Sequence, residues 1–398
     1  MSALGAISRA IPDALMARML PAGRSFAPGM PLATVSLPDA VRMRLLIGPE
    51  NSAGQGEAWA RAVTEHLPGA VAESFVVARD DAFGHAAGLV VPAPVFAWSR
   101  RWQAAHREAI AAQVTHLMIE SGRPILAGGV RGDVGHDVGW LRDRGISAAF
   151  VWHGSDARDP DRHASQHPHS PYADASWGAV PALRASSAAN RALAAESGLP
   201  SLVSTLDLLD DVPDATWLPL VVDVASWRTQ VPPLAHGGRL RVVHAPSRAV
   251  IKGTSLIEPV LDDLVAQGVI DYRRVEAVAH SEMPALYRDA DVVLDQFRLG
   301  SYGVAAVEAL AAGRIVIGDV DDRVRDRVRT ATGLELPMIS ARPEGLADLL
   351  RRVAADPGEA LALAEGGPRF AADVHDGRRA AAVIADVLAV DSGSGWAG

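Results

Sequence analysis

The segment Gly300-Ser301-Tyr302-Gly303-Val304-Ala305-Ala306-Val307-Glu308-Ala309-Leu310-Ala311-Ala312-Gly313 lies between two apolar runs, 292–297 and Ile315-Val316-Ile317. The pattern predicts a loop and a helix joining two buried parallel strands. Gly300 and Gly303 let the backbone approach a ligand, and a helix start offers free amide hydrogens and a positive dipole end. That chemistry suits an anion, a phosphate above all. Glu308, one and a half turns into the same helix, places a carboxylate where it accepts from the hydroxyls of a sugar or ribose.

Three further stretches carry polar residues just after predicted strands, where ligands sit in open parallel sheets. Arg248 and Lys252 occupy the loop after the strand Leu240–His244. Two cations there meet a diphosphate from one side, and a parallel sheet brings them to the edge that holds the Gly300 loop. His153-Gly154-Ser155-Asp156 follows the run Ala148–Trp152, and a histidine in that place can donate or accept near neutral pH. The alternative for His153 and Asp156 is capping of the next segment. The turn 48–56, with Gly54 and Gly56, matches neither the Gly-Lys-Ser/Thr phosphate loop nor the dinucleotide fingerprint, so it reads as an anion-facing turn or a plain connection.

The elements that must position these residues alternate as strands and helices, which predicts an α/β protein with parallel sheets covered on both faces. Strands are expected at Leu45–Ile47, Val71–Val77, Leu89–Val91, Thr115–Ile119, Ile146–Trp152 and Ser201–Thr205, then at Leu240–His244, Ile270–Val275, from Asp291, and at Ile315–Ile317. Thr254 or Ser255 is expected to cap the helix that follows Lys252. The run Asp159–Tyr172, with His163, His167 and His169, lacks the convergent spacing of a metal site and reads as a surface loop. Asp321–Arg329 reads as a solvated charged segment. Helices are expected over Pro343–Ala355, Pro357–Glu365 and Arg378–Val390, with a frayed tail, Ser392–Gly398.

The chain of 398 residues is long enough for two domains, and a formal charge of −9 argues against a nucleic-acid binder. Without cysteine it has neither disulfides nor thiolate metal ligands. No apolar run reaches the roughly 20 residues of a spanning helix, and residues 1–24 lack the apolar core of a secretory signal, so a cytoplasmic address is expected. Ile7, Ile11, Leu15, Met16 and Met19 recur at helical spacing beside Arg9 and Arg18, which fits an arm packed on the body or a peripheral membrane contact. The organisation expected is an amino-terminal arm (1–38), a first domain (39–222), a linker (223–238), a second domain (239–375), and a closing helix and tail (376–398).

The order strand, Arg/Lys loop, Gly-x-x-Gly helix with Glu308, then Ala311-Ala312-Gly313-Arg314-Ile315-Val316-Ile317, resembles the donor-binding half of retaining nucleotide-sugar glycosyltransferases of the GT-B fold, group 1 family. The likeness covers Leu240–Val320 and is general in the amino-terminal half. It implies two Rossmann-like domains with parallel sheets facing a central cleft, with nucleotide sugar on the second and acceptor on the first, and no cofactor or metal. It also implies that Arg248 and Lys252 bind the diphosphate and stabilise it as it leaves. Glu308 then holds the ribose, and amides of Ser301, Tyr302, Gly303 and Val304 contact phosphate or sugar. His153 stands near the transferred sugar, and Gly54 and Gly56 correspond to a loop near the donor phosphates. The family's first Glu of a Glu-x7-Glu pair is Gly300 here, so a substitute sugar contact from Asp295 or Gln296 is expected. No carboxylate nucleophile is evident after a first-domain strand, which favours front-face transfer. Two alternatives remain, an inactive donor-binding accessory protein and an epimerase or hydrolase on the same fold.

Overall fold

Continuous apolar runs bounded by glycine and polar residues become buried strands, because strands covered on both faces need no polar alternation. In the computed structural model, which describes residues 12–21, 25–29, 33–78, 85–126, 133–276 and 278–394, every strand pairing is parallel. The first sheet contains β1 (Met43–Gly48), β2 (Ala70–Ala78), β3 (Leu89–Pro92), β4 (His116–Glu120), β5 (Ser147–Trp152), β6 (Ser201–Val203) and β7 (Thr216–Trp217), in the order β3-β2-β1-β4-β5-β6-β7. The second contains β8 (Leu240–His244), β9 (Ile270–Arg274), β10 (Val292–Leu294), β11 (Ile315–Gly318) and β12 (Ile339–Ser340), in the order β12-β11-β10-β8-β9. Strand order reverses between β1 and β4 in one sheet and between β8 and β10 in the other, and crevices open at such points.

Successive side chains of each strand serve opposite cores. In the second sheet Val242, Leu294 and Ile317 pack with Ile257 and Leu261, whereas Val243, Val293 and Val316 pack with Ala306, Val307, Leu310 and Phe370. In the first, Leu46, Leu117, Phe150 and Trp152 face one way and Met118, Val151 and Leu202 the other. The last helix, Arg378–Ser394, returns to the first sheet, where Ala381, Ile384 and Leu388 pack beside Trp59 and Val151. It runs beyond the expected end at Val390; residues 395–398 of the expected tail lie outside the described residues, as do Ile7, Arg9 and Ile11 of the arm.

Several expectations need correction. The run 159–172 contains the helix Pro160–Gln166, capped by the Asp159 side chain accepting from Asp161 and Arg162 N–H, and His163 is only 2% exposed. It docks on the second domain: His163 Nε2 lies 3.5 Å from Leu299 O, His167 pairs with Asp321 at 3.6 Å and His169 with Glu344 at 2.7 Å. Residues 322–332 form a helix that buries Val324 and Val328, with Arg323 and Arg327 both reaching Asp210 of the first domain. Helix Val180–Glu196 was not foreseen. The helix after Lys252 is capped by left-handed Gly253, not by Thr254, whose hydroxyl instead meets His244 Nε2 at 2.9 Å.

Candidate active site

A cleft of about 870 Å³ opens where the carboxyl ends of the two sheets meet. Glu50 after β1, Ser121 after β4, His153 after β5 and Thr205 after β6 line one side; Ala245 after β8, Val275 after β9 and Gln296 after β10 line the other.

On the second-domain side the strand ends and the helix Val304–Ala311 build a cationic corner. Lys252 Nζ lies 2.5 Å from Asp295 Oδ1, and Asp295 Oδ2 accepts from Gly303 N–H at 3.2 Å. The Asp295 side chain is fully buried, while Lys252 keeps an edge on the cleft. One carboxylate thus ties the ammonium to the helix start. A Cβ on Gly303 would lie at ordinary contact distance, 3.7 Å, from Lys252 Nζ, which marks how near the ammonium stands to the helix N-terminus. Val304 and Ala305 line the cleft, and as first-turn residues their amides lack helical acceptors. Arg248 is exposed at the rim.

Asp295 and Gln296, expected as substitute sugar contacts, have their polar side-chain atoms engaged by partners within the protein. Gln296 Nε2 donates to the carbonyls of Ser301 and Asp319, and its Oε1 accepts from Arg298 and Leu299 N–H. The side chain shapes the loop 298–303. Gly300 has φ +65°, and a Cβ there would come within 2.6 Å of both Asp321 Oδ2 and His167 Cε1. The space beside Gly300 is therefore filled by the domain interface. Tyr302 is buried in the second core with its hydroxyl 3.5 Å from His375 Nε2, and burial pushes its phenol pKa up. Ser301 is buried with Oγ close to Asp207, which Arg158 holds by a 2.5 Å contact.

Glu308 lies in the cleft wall, 5% exposed, with Oε1 2.6 Å from His280 Nε2. Burial pushes its carboxyl up against the opposing pull of His280, while the hydrogen bond to Glu308 raises the His280 imidazole. His280 was missed in the sequence, where it stands 28 residues from its partner with no local pattern to mark it.

On the first-domain side the missed residue is Glu120. It ends β4, is 0% exposed, and accepts from Glu50 N–H (3.0 Å) and Asn51 N–H (2.9 Å) at Oε2, with His153 Nε2 3.0 Å from Oε1. This carboxylate is the last residue of a first-domain strand, one position before the place that singled out His153. Both oxygens are engaged within the protein. His153 stacks on Trp59 with ring centroids 5.6 Å apart. Burial works to lower the His153 pKa, but Glu120, Asp156 and Glu50 together raise it. Glu50–Ala53 form the cleft edge, whereas Gly54 turns toward His85 and Gly56 packs against Asn51 and Glu120. Helix Val180–Glu196 adds Leu183, Ser186 and Asn190 to the wall.

Among the described residues no cluster of metal-ligating side chains occurs, and no helix is long and apolar enough to cross a membrane. No family model and no curated protein matches the chain. Solved structures do. Sucrose-phosphate synthase from Thermosynechococcus elongatus is 13% identical and superposes over 89% of this chain and 100% of its own, with a TM-score of 0.58. Anabaena HepE, solved in complex with UDP and glucose, is 10% identical over 88% of this chain and 100% of its own, with a TM-score of 0.53. An α-glucosyltransferase solved with UDP and a 13-mer DNA is 11% identical over 87% of this chain and 99% of its own, with a TM-score of 0.54.

Proposed function

We infer the function from the cleft residues together with the GT-B fold, which these glycosyltransferase structures share along nearly the whole chain. We propose that the chain is a hexosyltransferase that moves a sugar from a nucleotide diphosphate donor to a glycan, lipid-linked or small-molecule acceptor, with retention and without a metal. The observation that carries this is Lys252 held by Asp295 beside the helix start at Gly303, with Arg248 at the rim and Glu308 in the same wall. HepE and the α-glucosyltransferase were solved with UDP, which supports a nucleoside diphosphate in this corner.

In the reaction the bond from the sugar's anomeric carbon to the diphosphate breaks, and the electron pair leaves with phosphate oxygen. Lys252, Arg248 and the first-turn amides meet the charge that develops there, the part a metal plays elsewhere. The acceptor oxygen bonds to the same face of the anomeric carbon, and its proton passes to the departing phosphate oxygen. Glu120 supports this front-face route, because its engaged oxygens leave no free nucleophile. Exposed Leu15 and Met19 beside Arg18 support a peripheral membrane contact on the cytoplasmic side.

The test is a thermal-shift screen of nucleoside diphosphates and their sugars, followed by transfer assays with and without EDTA and NMR of the product anomer. A matching diphosphate at 100 times its dissociation constant adds about 2.7 kcal/mol. Turnover unchanged by EDTA and a product with the donor's anomeric configuration are expected. The reading is overturned if no diphosphate shifts the melt and no donor yields product; donor binding without turnover over a broad acceptor panel would favour the accessory reading, and epimer from donor alone the epimerase.

A further inference from the structure

Glu120 contributes nothing to the cleft surface, yet its two oxygens reach two of the loops that do. β4 and β5 run side by side with Glu120 opposite Val151, so the carboxylate ending β4 meets the residue after β5 across one strand spacing. The His153 ring is held by Trp59 on one face and by Glu120 at Nε2. Its backbone N–H donates to the Asp156 carboxylate at 3.0 Å, and its carbonyl accepts from Ser204 Oγ at 3.3 Å. Nδ1 makes no hydrogen bond to the described residues, and His153 lines the cleft. The other charged groups nearby are Asp156, on the same turn, and Glu50, paired with Arg123 on the opposite loop.

We propose that Glu120 is a positioning residue for the transfer: by accepting from His153 Nε2–H it stabilises the imidazolium, in which Nδ1–H is left to donate to an oxygen of the nucleotide-sugar donor, and by binding the Glu50 and Asn51 amides it fixes the facing loop edge. This rests on the glycosyltransferase reading for its substrate. A buried carboxylate on one ring nitrogen fixes the tautomer and favours the imidazolium, as in hydrolase triads where the acid orients a histidine without reacting. The difference is direction: here the histidine keeps its proton and donates.

The experiment uses the full chain and the isosteric variant Glu120→Gln, with Glu120→Asp, which keeps the charge but shortens the reach, as a second variant should the first fail to fold. NMR titration of the His153 imidazole in the free protein is expected to show its midpoint lower in Glu120→Gln than in wild type. In kcat/KM against pH, the alkaline limb should move down with it, each unit of movement being about tenfold in rate on that limb. The thermal shift induced at pH 6 by the best nucleoside diphosphate of the screen, which lacks the sugar, should correspond to an affinity within about a factor of 2 of wild type. Equal His153 midpoints in wild type and both variants overturn the proposal, as does an unmoved alkaline limb. If wild type transfers no sugar from any donor, the functional reading fails and the role in transfer with it, while the imidazole titration still decides the coupling.

Discussion

In the seven-stranded sheet the strand across the switch point from β1 is β4, and it ends in Glu120; in the five-stranded sheet the strand across from β8 is β10, and Asp295 follows it. Both carboxylates are fully buried, both accept from backbone amides of a loop at the cleft, and both hold one cationic or cation-forming side chain that faces the cleft. The partners differ. Asp295 holds a lysine and Glu120 holds a histidine, the residue type whose charge ordinarily changes between pH 5 and 8. Topology therefore sets where the anchoring carboxylate stands, and the partner sets the chemistry it can support: an ammonium beside a helix start in one sheet, an imidazole at the cleft in the other.

Removing the ammonium is the sharpest way to break that contrast. Lys252→Ala is expected to lower kcat roughly 10²- to 10³-fold, as loss of one preorganised electrostatic donor does elsewhere. Steady-state assays over a donor series check it, and full turnover would refute the division of labour. The same pair predicts an asymmetry in stability. Lys252→Met strands a fully buried carboxylate with one amide donor, which costs about 3 kcal/mol; Asp295→Asn leaves an ammonium that already reaches the cleft and can be hydrated, which costs about 1 kcal/mol. Urea midpoints of the two variants measure the difference, and equal losses would show that the carboxylate is not the more dependent partner.

The second-domain half was the more legible in sequence, because its strands are short apolar runs next to glycine turns and its polar residues act close to where they stand. Lys252 and Glu308 reach the cleft by the rule that residues after strands and at helix starts face ligands. The first-domain half was less legible because its partners are distant in sequence. Glu120 is 33 residues from His153, and the histidines at 163, 167 and 169 find carbonyl and carboxylate partners only in the other domain, so a stretch with the composition of a solvated loop is an interface. The Asp321 segment reads as solvated for the same reason, since Arg323 and Arg327 find Asp210 only across the boundary. Gly300 was noticed as a departure but not explained, since the atoms that crowd it belong to those two segments. Gly300→Ala is expected to cost about 2 kcal/mol, from left-handed backbone and the 2.6 Å approaches, read as a lowered urea midpoint. Gly300→Glu should lower activity rather than restore a family contact, and a gain in donor affinity would show that the interface can yield.

The smallest effect separates the two anchors by pH. The folded-state pKa of His153 is raised above its ordinary value near 6.5, with burial opposing and Glu120 first among the groups that raise it. A raised imidazole contributes stability that is fully present below the unfolded value and is lost as pH rises through the folded one. The stability difference between wild type and Glu120→Gln is therefore expected to be largest near pH 6 and to shrink as pH rises to 9. The Lys252–Asp295 pair contains no imidazole, so the difference between wild type and Asp295→Asn should change less over the same range. Taking differences removes histidines remote from both carboxylates, such as His106, which burial lowers to about 4, while His244, held down by burial with Asp295 opposing, stays in the Asp295→Asn difference. Denaturant titrations at pH 6, 7.5 and 9 on the three proteins decide it. Parallel curves for the two variants would mean that the imidazole and the ammonium answer to the same groups, and the contrast between the two anchors would not hold.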